Sequence, residues 1–158
     1  MKKTAYFDEH WDYGWPSLDW LEPIFATVLG KHGFKEGDND NWGFNIEGLY
    51  GTADLPRRQS VNVHLYVTGH PDHGVTLQYT KWDGRIQKQE TVNSKGDLRR
   101  LGEFVRSRHG TPLSVGLFIP YESAWKAVKE FIERNGELPT SIEWIAGRDL
   151  PPGTFPDP

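Results

Sequence analysis

The chain has 158 residues, a formal net charge of −4 and no cysteine. That length suits one domain with a real core. The absence of cysteine excludes disulfides, thiolate zinc sites and a cysteine nucleophile, and it fits a reducing cytoplasm. The charge is uneven: residues 1–55 hold four Lys/Arg against ten Asp/Glu, whereas the remainder holds fourteen against twelve. An acidic N-terminal third disfavours nucleic acid, whose affinity comes largely from phosphate neutralisation, and suits a basic partner.

Seven Trp, eight Phe and six Tyr supply large rings for core or interface. No run of apolar residues reaches a membrane span. Met1-Lys2-Lys3 is followed by Asp8 and Glu9 before any apolar signal region forms, so no targeting segment is expected.

In chain order, Tyr6–Trp15 (YFDEHWDYGW) reads as a strand or ordered arm. Ser17 is a helix cap, and Trp20, Leu21, Ile24, Phe25, Val28 and Leu29 follow at helical spacing. Pro23 falls near the first turn, and Gly30–Gly33 ends the helix. Gly37–Asn41 is a turn, and Trp42–Tyr50 a strand. Val61–Val67 and Val75–Trp82 alternate apolar and polar residues, the period of half-buried strands, with Gly69–Gly74 between them. Asp83-Gly84 turns into a polar return strand, Arg85–Val92, expected at an edge. A second helix is expected over Asp97–Arg108, with Leu98, Leu101, Phe104 and Val105 inward. Leu113–Ile119 is a strand. The third helix starts at Pro120, carries Ala124, Val128, Phe131 and Ile132, and closes at Asn135-Gly136. Ser141–Ile145 is the last strand, and residues 148–158 form a Pro-rich tail. The expected class is α+β, a mostly antiparallel sheet with about three flanking helices in a single domain over 1–158.

Catalytic signals are weak. His70 and His73 sit in a Pro/Gly loop where no third ligand is evident. Asp38-Asn39-Asp40-Asn41-Trp42-Gly43 begins like a calcium loop, but Trp42 and Leu49 stand where oxygen ligands are required. Glu47 and Glu143 are a carboxylate pair only if the fold joins them. Ser114 and Ser123 lack a nucleophile-elbow context. Arg99, Arg100, Arg106 and Arg108 are interrupted by acids, as on a solvated face. No catalytic, cofactor or metal residue is assigned. Trp11 and Trp15, set among charges and glycine, are either interface anchors or pack the arm onto the sheet.

The segment Ile119-Pro120, Ala124, Val128, Phe131, Gly136, Pro139-Thr140 and Trp144 resembles the C-terminal signature of the first-numbered immunity protein family of bacterial polymorphic toxin systems. The tail around Asp149–Pro152 and Phe155-Pro156 is similar to that family too. The resemblance implies a cytoplasmic, non-catalytic inhibitor that binds the catalytic domain of a cognate toxin, one-to-one, without contacting nucleic acid or membrane. It implies that a nucleic-acid cytidine deaminase is the target. From charge and aromatic placement, the expected toxin contacts are Asp8, Glu9, Trp11, Asp12, Trp15, Asp38, Asp40 and Trp42. Two other readings stand beside this one: a small metal-dependent hydrolase using His64, His70 and His73, and a generic interaction adaptor.

Overall fold

The structure is a computed structural model that describes residues 1–7, 10–26, 41–107 and 109–158. Among these, nine strands and two α-helices are assigned, fewer helices than the three expected. The strands are β1 (Lys2–Phe7), β2 (His10–Tyr13), β3 (Asn41–Glu47), β4 (Val61–His70), β5 (Gly74–Asp83), β6 (Lys88–Ser94), β7 (Phe104–Arg106), β8 (Pro112–Ser114) and β9 (Trp144–Ala146). The helices are α1 (Leu18–Ala26) and α2 (Tyr121–Glu133).

Seven strands form one antiparallel sheet in the order β2-β1-β3-β4-β5-β6-β9, and β7–β8 is a separate hairpin. The Tyr6–Trp15 arm is thus a hairpin limb, with Tyr6 opposite Trp11 and Ala5 opposite Asp12. β6 is an edge only in its first part: Val92, Asn93 and Ser94 pair with Ala146, Ile145 and Trp144, and among the described residues no strand pairs with Lys88–Thr91 on that side.

Period-two alternation decides what the sheet covers. Val61, Val63, Leu65 and Val67 of β4 point to one face, joined by Phe44, Ile46, Val75, Leu77 and Tyr79, and all are buried. α1 and α2 close over this face. Ser17 Oγ accepts from the Trp20 amide at 3.3 Å, so the cap forms as expected. Leu21 and Phe25 bury completely or nearly so, and Trp20 faces solvent. The Phe25 ring stacks on Trp125 at 5.6 Å and meets Trp42 edge-on at 5.8 Å, which locks the two helices to β3. The residues that were to end α1, Gly30–Gly33, and the turn before Asn41 lie outside the described residues.

α2 follows Pro120, whose fixed φ suits a helix start. It ends as its sequence indicates. Asn135 and Gly136 both have positive φ, and the Gly136 amide donates to Phe131 O at 2.9 Å, a left-handed C-terminal cap.

The helix expected over Asp97–Arg108 does not form. Asp97 accepts from the Arg99 amide and forks onto its guanidinium, tying the chain into one 3₁₀ turn, Leu98–Arg100. After Gly102 the chain becomes β7 and pairs with β8, the Ser107 amide donating to Thr111 O at 2.9 Å, while Arg108 lies outside the described residues. Phe104 consequently points outward, 42 % exposed. The strand expected over Leu113–Ile119 is split: β8 stops at Ser114, a 3₁₀ turn covers Val115–Leu117, and Ile119 bridges to Val75. Gly74 permits that bridge, because a Cβ there would run into Ile119 O.

In the tail, Thr154 is buried and its hydroxyl donates to Pro151 O at 2.7 Å. This turn brings Phe155 and Pro156 to the rim of a hollow on the sheet.

Candidate functional site

The side of the sheet opposite the helices carries the even-numbered residues of β4 and β5. Cross-strand register arranges them in rows. Tyr66 lies between Gly43 and Gln78, His64 between Asn45 and Thr80, and Asn62 between Glu47 and Trp82. The middle of this face is built from amides, hydroxyls and rings rather than charges.

Its centre is an aromatic cluster. Tyr6 reaches across β3, over Gly43, where any Cβ would collide with the Tyr6 ring. Its hydroxyl approaches His64 Nε2 at 3.4 Å, and the His64 ring lies 3.7 Å from that of Tyr66. Burial pushes the His64 imidazole down to about 4, so it is neutral near pH 7. Burial likewise raises the Tyr6 phenol, with Tyr66 adding to the effect. Tyr66 itself remains 37 % exposed.

Two concavities flank Tyr66. One, of about 360 Å³, lies between the sheet, the β7–β8 hairpin and the tail. The other, of about 330 Å³, runs over Asn45, His64 and Trp82 toward Glu47 and Arg57.

The residues of the hydrolase reading do not converge. His64 and His70 are six residues apart on one strand, roughly 20 Å at strand rise. His70 and His73 do meet, with ring centroids 4.9 Å apart. His70 Nδ1, however, accepts from the Asp72 amide at 3.1 Å, and the His70 carbonyl accepts from Tyr121 Oη at 2.8 Å. Among the described residues no group of three or more His, Cys, Asp or Glu is placed to hold a metal. Glu47 and Glu143 stay apart, with β4, β5 and β6 between them, and Glu143 faces Lys95. The Ser114 hydroxyl is spent on Leu101 O at 2.8 Å. Arg99 and Arg100 pair with Asp97 and Glu103.

Of the expected toxin contacts, Trp15 is half-buried. Its indole nitrogen donates to Thr4 O at 3.2 Å and Asn45 O at 3.0 Å, and its ring packs 5.2 Å from that of Phe131. It pins the N-terminal hairpin to the core. Trp42 is only 5 % exposed, its ring committed to Phe25. Trp11 and Asp12 lie on β2, and Asp8, Glu9, Asp38 and Asp40 fall outside the described residues. What register adds is proximity of strand ends: Phe7 pairs with both His10 and Trp42. The end of β1, the start of β2 and the start of β3 therefore share one end of the sheet. The Tyr6–His64–Tyr66 cluster escaped sequence reading, although the polar half of the β4 alternation, Asn62-x-His64-x-Tyr66, was its signal.

These features define an antiparallel α+β domain with one helix-covered face and one open face of rings and amides. The family model described as immunity protein Imm1 matches residues 38–146, and the chain belongs to that family. No curated protein and no solved structure matches it. Its role is accordingly that of an immunity protein, with a cognate toxin as partner. Among the described residues no helix is long and apolar enough to cross a membrane.

Proposed function

We propose that this protein protects its producer, in the cytoplasm, by forming a one-to-one complex with the catalytic domain of a nucleic-acid cytidine deaminase toxin and covering its active site or substrate groove. Membership of the immunity protein Imm1 family over residues 38–146 carries the reading. The acidic N-terminal third supports the choice of a toxin that handles nucleic acid, because such a domain presents a basic groove. Asp8, Glu9, Asp12, Asp38 and Asp40 are the residues proposed to meet it, with Trp11 beside them. Inhibition is stoichiometric and needs no chemistry from the inhibitor.

The test is co-purification with the C-terminal domain of the protein encoded immediately upstream, followed by that domain's deaminase and nuclease activities with and without this chain. A stable one-to-one complex with lost deaminase activity supports the whole reading. Loss of nuclease activity instead would replace the deaminase, and absence of any complex would remove the partner.

A further inference from the structure

We propose that the open face of β3–β6, centred on Tyr66, is where the toxin docks, and that an uncharged protruding loop of the toxin enters the hollow between Tyr66, Gln78 and the β7–β8 hairpin. This inference rests on the immunity reading and names the surface it uses.

Three observations carry it. The first is neutrality: among the described residues, none lining the larger hollow is charged. An ionised side chain entering it would lose its water without gaining a counter-charge. A loop presenting an apolar side chain and main-chain carbonyls meets no such penalty. Leu113, Pro112 and Phe155 provide apolar walls, and Thr68 and Thr76 provide hydroxyl donors.

The second is an unsatisfied group in the hollow's wall. Asn93 is 3 % exposed, and its Oδ1 accepts from Gln78 Nε2 at 3.1 Å. Its Nδ2 has no hydrogen-bond partner among the described residues. A buried donor without an acceptor carries a desolvation penalty. A loop carbonyl engaging the Gln78–Asn93 pair recovers part of that on binding.

The third is continuity with the acidic segments. Asn41 lines the same hollow and directly follows Asp40 in the chain, with Asp38 two residues before that. Phe7, which precedes Asp8 in the chain, pairs with Trp42 at the start of β3. A toxin whose basic rim meets those acids thus brings its neighbouring surface over Tyr66. Tyr66 lines both concavities, the central position in which binding energy concentrates on aromatic anchors.

The experiment measures affinity for the upstream-encoded toxin domain by calorimetry, using wild type, Tyr66→Ala, Thr76→Arg, and Ile86→Arg as a control on the exposed β5–β6 turn. Tyr66→Ala and Thr76→Arg are expected to weaken binding at least about 30-fold, and Ile86→Arg less than about 3-fold. Circular dichroism reports whether each variant is folded. Should Tyr66→Ala fail to fold, Thr76→Arg and radical footprinting of Tyr66 in the wild-type complex decide, with protection of Tyr66 expected. Unchanged affinity in a folded Thr76→Arg, or an unprotected Tyr66, overturns the docking surface while leaving the immunity reading intact. A wild-type chain that binds no toxin overturns both. A chain that dimerises alone and is made monomeric by Thr76→Arg would assign this face to a second copy instead.

Discussion

The carboxylate of Glu130, on α2, accepts hydrogen bonds from the Thr140 amide at 2.9 Å and the Thr140 hydroxyl at 2.8 Å. The Ser141 amide adds a third at 3.0 Å, and Arg134 pairs with the same group at 3.1 Å. This clamp explains the Pro-Thr pair in the C-terminal signature. Pro139 O in turn accepts from the Trp144 indole at 2.7 Å, so one helical glutamate fixes the approach to β9. Glu130→Ala should therefore destabilise the protein by about 2 kcal/mol, since it leaves two backbone amides and a hydroxyl without their acceptor. Chemical denaturation measures this. A change below about 0.5 kcal/mol would show that solvent replaces the clamp.

Acid stability follows from the same residue. Burial alone would raise the Glu130 carboxyl, but the donors from Thr140, Ser141 and Arg134 outweigh it and hold it at about 2. A carboxylate depressed in the folded state adds stability above its ordinary pKa of 4.5 and loses it as pH falls toward 2. Allowing for solvent screening, the contribution is about 1–2 kcal/mol. In Glu130→Gln the pH dependence between 4.5 and 2 should flatten, which unfolding midpoints against pH would reveal.

His64 acts in a higher window. Its imidazole is held near 4 by burial, against an ordinary 6.5. Between those values the unfolded chain binds the extra proton, so stability falls as pH drops from 6.5 toward 4, by up to roughly 3 kcal/mol. His64→Gln should remove that slope. Persistence of the full slope in the variant would place its origin elsewhere.

Phe131 is fully buried where Trp15, Phe44 and Tyr79 meet α2. Truncating it opens a cavity that rings on three sides are too stiff to fill. Phe131→Ala should cost about 3–5 kcal/mol, measured by thermal or denaturant unfolding.

Reversing Asp8, Glu9 and Asp12 together to Lys should slow association with the toxin by about 10- to 100-fold at low salt and reduce its salt dependence. Stopped-flow rates at two ionic strengths are the check. Identical rates in the variant would remove the acidic N-terminal segments from the docking pathway.

Local pattern made several elements legible. The alternation Val61, Val63, Leu65, Val67 required a strand half-buried by period two, and the structure contains it. Pro120 and Asn135-Gly136 bracket α2 because fixed φ starts a helix and positive φ ends one. Asp97–Arg108 misled because Leu98, Leu101, Phe104 and Val105 have helical spacing. Its outcome depended on pairing with Pro112–Ser114, a partner that periodicity within the segment does not reveal.

The amino-acid order by itself determined the acidic N-terminal third, the alternation of the central strands, the caps of α2 and the C-terminal family signature, because each depends on neighbouring residues alone. Tertiary structure decided which rings are spent on the core and which face the partner side. Trp42 went inward because its parity on β3 turns it toward Phe25 of α1, and Trp15 because it packs between the β3 backbone and Phe131 of α2, whereas Tyr66 stayed out because its parity places it opposite the helices. It also decided that Tyr6, His64 and Tyr66 meet, since residues about sixty positions apart become neighbours only through the register of β1, β3 and β4.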